Sequence, residues 1–153
     1  MALLLFPTLA SAQDHQPRLE PPDPHGGVLC IWQMYLAAAA VGEMCFPGED
    51  APLKDVLRES IGKMDAFIIA NGPATAEQIA ETKSKIHEMT GLSRLIAEAR
   101  EREPGTPICR SKALRGAVGF LYERIRRQDP ETMRAGIAQL LAVPRKPVLS
   151  PCL

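Results

Sequence analysis

The sequence predicts an all-α protein, a five-helix up-down bundle around one central apolar helix, stapled by two disulfides. Three observations carry that prediction. Aromatic residues make up only 5% of the chain and runs of Val, Ile, Thr, Tyr and Phe are scarce, so the apolar mass is Ala, Leu, Ile and Met, which suit helices. The stretch Cys30 to Cys45 (CIWQMYLAAAAVGEMC) has almost no polarity, and a helix apolar all round belongs in the middle of a bundle. Further segments repeat apolar residues at helical spacing between firm breakers. At 153 residues, 46% hydrophobic and 24% charged, the chain has the makings of one domain with one core.

Residues 1–12 (MALLLFPTLASA) form an apolar run closing on Ala10-Ser11-Ala12, the small-x-small pattern of a secretory cleavage site. A signal peptide cleaved after Ala12 is the expectation, although no Lys or Arg precedes the run. The Pro- and Gly-rich residues 13–27 follow as a flexible lead-in, and residues 28–153 as a single helical domain with an extended C-terminal tail.

The central helix spans about 28–44, with the Ala37 to Ala40 run and Gly42 giving a slim face that a neighbour can approach closely. Phe46-Pro47-Gly48 stops it. Asp50 and Pro52 open the second helix, as N-cap and first-turn proline. Its stripe is Leu53, Val56, Leu57, Ile61, Met64, Phe67 and Ile68, and Asn71-Gly72-Pro73 ends it with Gly as a left-handed cap. Thr75 and Gln78 have capping-box spacing at the start of a third helix, which runs to Glu103 with Gly91 as a kink or a break. Ser111 caps the fourth, with Leu114, Ala117, Val118, Leu121 and Ile125 inward and Gly116 and Gly119 open to close packing. Asp129-Pro130 begins the fifth, whose apolar positions are Met133, Ile137, Leu140 and Leu141.

An even number of cysteines in a small exported chain argues for disulfides. A straight helix would set Cys30 and Cys45 roughly 22 Å apart at ~1.5 Å per residue, too far to bond each other. In an up-down bundle with only a kink at Gly91, Cys45 pairs with Cys109 and Cys30 with Cys152. A reversal at Gly91 would exchange the partners, to Cys30 with Cys109 and Cys45 with Cys152.

Net charge is zero, but it is unevenly divided: half of the 18 Lys and Arg residues, and only three of the 18 acids, lie beyond Glu103. The acidic first part and the basic last part should attract each other. The chain has no nucleophile motif, no zinc-protease helix, no phosphate-cradling Gly loop and no C-x-x-C. His15, His25 and His87 fall at no ligand spacing from a cysteine. Glu98, Glu101 and Glu103 alternate with Arg100 and Arg102, which is the pattern of a solvated face. Neither enzyme activity nor a cofactor or metal is expected.

What remains is a periplasmic or secreted interaction module that presents a surface to a protein partner in the cell envelope, as an inhibitor, immunity or accessory factor does. Arg110, Arg115, Arg124, Arg126 and Arg127 are the candidate contact residues. Export argues against nucleic acid. A basic amphipathic helix can lie on anionic lipid, but this one's apolar stripe is more economically explained as core. The alternative is carriage of a small apolar ligand or metal in the bundle core, near Met34, Tyr35, Met64 or His25, and a pocket of several hundred cubic ångströms between helices would favour it.

Overall fold

The computed structural model describes residues 23–89 and 91–152, and of these gives only the backbone at 87, 89, 117 and 118. The expected signal peptide and the first part of the lead-in lie outside the described residues. Within them the fold is all-α.

Helix α1 (Val28–Cys45) is the centre. It buries Ile31, Trp32, Tyr35, Leu36, Ala38 and Val41 among others, over a face much wider than one stripe, while Leu29, Gln33 and Ala40 are half-buried and Glu43 is exposed. By length and mean hydropathy, 1.5, it could cross a membrane, a test that a core helix also passes. Here α2 (Ala51–Asn71), α4 (Ile86–Met89) and α7 (Phe120–Arg126) pack against it. All seven residues of the α2 stripe are buried. Trp32 donates its indole N–H to Asp65 of α2 at 2.7 Å, and Lys83 of α3 (Ala76–Ser84) binds the other carboxylate oxygen at 2.7 Å, so one aspartate ties three helices.

Several ends follow the sequence. Thr75 and Gln78 form a reciprocal capping box, Ser111 accepts from the Leu114 amide, and Asp129 accepts from the Thr132 amide. Gly72 departs from expectation: its backbone is extended, and an added Cβ would stand 2.8 Å from the Ile68 carbonyl and 3.4 Å from Pro147. Close approach, not a left-handed cap, is what requires glycine there.

The expected third helix is three. The chain breaks at Lys85 and again at Gly91, which adopts a left-handed conformation (φ 68°) before α5 (Leu92–Arg102). Ile86 is buried against the core, and α5 turns away to pack on α6 (Lys112–Leu114). The fourth helix is also subdivided: a 3₁₀ turn at Ile108–Arg110, then α6, a π turn at Arg115–Gly119, and α7, the last three without interruption. Gly119 is close to its own chain's Leu114 carbonyl and Gly116 faces open space, so neither serves helix-helix packing. Gly42 does: an added Cβ would lie 2.7 Å from the ring of Tyr122 in α7. Finally, α8 (Pro130–Leu140) packs on α2 and buries Met133, Ile137 and Leu140, while Leu141 is only half-buried.

Cys45 lies beside Cys109 and Cys30 beside Cys152, each pair with Cα atoms 5.4 Å apart and disulfide-bonded. The continuous third helix on which that pairing was expected does not exist. Cys109 still returns to the Cys45 end of α1 because α5 folds back onto α6.

The tail and the residues before α1 form a second surprise. Asp23, Gly26 and Gly27, expected in a flexible lead-in, are buried. Asp23, Gly27 and Leu29 donate backbone N–H groups to the carbonyls of Ser150, Pro151 and Val148, at 3.0, 2.7 and 3.1 Å. Arg145 locks this pairing from inside. Its guanidinium binds the Asp23 carboxylate and the carbonyls of Gly26 and Leu140, and lies 5.5 Å from the ring centre of Phe67.

Candidate functional site

The sequence nominated the arginines of the fourth helix, and the structure divides them. Arg126 belongs to the scaffold. It sits 5.2 Å over the ring of Phe46, which stacks on Tyr122 with centroids 5.0 Å apart. Its Nε is 2.9 Å from the Asp50 carboxylate, which also accepts the Tyr122 hydroxyl at 3.0 Å. Burial first, and the neighbouring Asp50 second, hold the Tyr122 hydroxyl well above the usual phenol value, so it stays a donor. Asp50 is therefore no helix cap. Its backbone is left-handed (φ 54°), its side chain makes no capping bond, and its carboxylate is committed to Tyr122 and Arg126.

Arg110, Arg115, Arg124 and Arg127 are exposed. Among the described residues no ion pair engages any of them, although Arg126, Arg134 and Arg145 take Asp50, Glu59 and Asp23 of the acidic first part. The expected attraction between the two parts is thus real but partial. Between Arg115 and Arg127 in the chain stands Phe120, 64% exposed, a large apolar side chain absent from the residues nominated above. The signal was available: Phe120 falls outside the stripe Leu114–Leu121–Ile125, so at helical spacing it had to face outward.

Beside Phe120 a cleft of about 240 Å³ opens between α1 and the π turn. The Cys45–Cys109 bridge, Phe46 and Leu114 line it, with Arg115, Glu123 and Arg127 at its edges. The bridge fixes the end of α1 to the approach of α6, and the buried Ser111 caps α6, so the two walls of the cleft are joined covalently. It can offer a guanidinium pair, an aromatic ring and a shallow apolar recess to a partner.

No protein-family model, curated protein or solved structure matches this chain.

The remaining candidates are scattered. Met64 is fully buried in α2, His25 is exposed near the tail, and the His87 side chain is outside the described residues. Glu98 pairs with Arg102 at 2.8 Å, and Glu103 accepts the Lys112 amide at 2.9 Å, so these acids have structural work within α5 and at the start of α6. Among the described residues, no three His, Cys, Asp or Glu side chains gather where they could hold a metal ion. Met34 and Tyr35, in contrast, do border a cavity, the groove between α1, α7 and α8.

Proposed function

We propose that this protein is an exported, disulfide-stapled helical module that binds an acidic partner protein through the face built by the π turn and α7. The exposed ring of Phe120, flanked by arginines that have no internal carboxylate, carries this reading. An exposed aromatic within a cationic rim has the composition of an interaction hot spot, in which Arg and aromatic residues dominate the energy and unpaired charge orients the encounter. Two disulfides in so small a domain fit an oxidising compartment.

The test is photo-crosslinking in the native host from position 120, with Glu77 on the exposed face of α3 as the control position. A protein adduct at 120 that disappears in Arg115→Glu/Arg127→Glu and weakens with rising salt is the expected result. Adducts that are equal at both positions, or indifferent to charge reversal, would overturn the reading.

A further inference from the structure

The groove between α1, α7 and α8 is a different feature from the Phe120 face, on the other side of α7, and it has the attributes of a small-molecule site. It arises because α8 packs on α2 and stands away from α1. The space left is about 320 Å³, at the small end of the range for ligand clefts. Its walls are apolar, chiefly Ile31, Met34, Leu121, Ile125 and Ile137.

Three polar features distinguish it. Tyr35 is 9% exposed, and its hydroxyl has no hydrogen-bond partner among the described residues. No buried side-chain oxygen or nitrogen among those residues goes unpaired, so this hydroxyl keeps contact with solvent, and Tyr35 lines the groove. Arg124 stands on the lining without an ion-pair partner, and the Gln128 amide beside it is also uncommitted. No carboxylate lines the groove, whereas the hollows of about 540, 430 and 240 Å³ elsewhere contain Glu81, Glu43 and Glu123 respectively.

Gly136 adds an independent observation. It lies in the interior of α8, where glycine is less favourable than alanine. An added Cβ there would meet nothing within 4 Å, so packing does not demand glycine. Gly136 borders the groove together with Thr132 and Leu140, at four-residue spacing along α8.

We propose that this groove binds a small monocarboxylate with an aliphatic or single-ring apolar body, its carboxylate held by Arg124 and Gln128 and the apolar part packed between α1 and α8. The Tyr35 hydroxyl supplies a further donor; burial raises it above the usual phenol value, which keeps its proton in place. The volume admits one chain or ring and excludes a two-chain lipid. The proposal does not depend on the protein-partner reading, since the residues used are different.

The experiment titrates the disulfide-intact protein with decanoate, decanol and decyltrimethylammonium, below micelle formation, by calorimetry and amide-resolved NMR. Decanoate should bind at least about tenfold more tightly than decanol, as a charge-assisted hydrogen bond requires, and the cation should not compete. Amide shifts should centre on Tyr35, Arg124 and Gly136. Arg124→Gln should erase the preference for decanoate while leaving decanol binding unchanged, and Gly136→Leu, a change that favours helix, should weaken both ligands. Circular dichroism would verify that both variants fold. Equal binding of decanoate and decanol to the unaltered protein, or decanoate binding indifferent to both substitutions, would overturn the proposal.

Discussion

Gly42 and Asp50 both meet Tyr122, and each shows how much a single position decides. Gly42→Ala would gain helix propensity of up to about 1 kcal/mol. It would also drive a methyl group to within 2.7 Å of a fully buried ring. Overpacking of this kind typically costs about 1–3 kcal/mol, so the variant should be destabilised in urea unfolding; unchanged stability would mean that the ring can move aside. Asp50→Ala leaves the Tyr122 hydroxyl and Arg126 without their acceptor and should cost about 2–3 kcal/mol. Asp50→Asn, which keeps an acceptor oxygen and tolerates the left-handed backbone, should cost less in the same measurement. The glycine was legible as a close-packing position. The aspartate was not, because Asp before Ala-Pro has the look of an N-cap, and only tertiary contact reveals that its carboxylate is claimed from 72 residues away.

At the scale of elements, α8 and the tail are the informative pieces. Gly136→Ala should stabilise the protein by about 0.5–1 kcal/mol in thermal or urea unfolding, because the position has room and no left-handed backbone. A loss of stability would show that Gly136 is needed for packing after all. The tail is secured not by its disulfide alone but also by Arg145 and three backbone hydrogen bonds. Reduction should therefore leave it partly protected from proteases in the unaltered protein and exposed in Arg145→Gln.

The same clamp predicts a pH dependence. Burial alone would raise the Asp23 carboxyl; the His25 amide and Arg145 more than reverse this, and the group ends below its ordinary value. A carboxylate lowered in the folded state stabilises folding fully above its unfolded value, near 3.8. That contribution declines as pH falls through this value and is gone below the folded one. Asp23→Asn should thus flatten the acid limb of a stability–pH curve below about pH 4; an unaltered limb would argue against the clamp.

For the whole molecule, helix content and the central place of α1 were legible, since an apolar stretch without a polar face has nowhere else to go. The Asp129 and Ser111 caps were equally plain, because their bonds are local. Gly91 was legible as a kink or a break, but the break at Lys85 was not: Ile79, Ile86 and Met89 keep helical spacing across it, so periodicity alone sees one rod. The groove was the least legible feature, because it reflects where α8 does not pack. Both bridges join the start and end of α1 to the last third of the chain, across 122 and 64 residues. Loop-closure entropy assigns each about 4–5 kcal/mol, a large part of the 5–15 kcal/mol typical of a domain. Full reduction should lower the melting temperature steeply, and Cys45→Ala/Cys109→Ala should leave a protein folded only marginally at 37 °C. Insensitivity of the melt to reductant would count against both bridges.

Because residues 23–29 run beside residues 148–151, the two ends of the described chain leave the fold together. The Phe120 face lies at the opposite pole, some 20 Å along the axis of α1. A tether, fluorophore or surface linkage attached at either end would therefore hold the molecule by one pole and point the arginines away from the support.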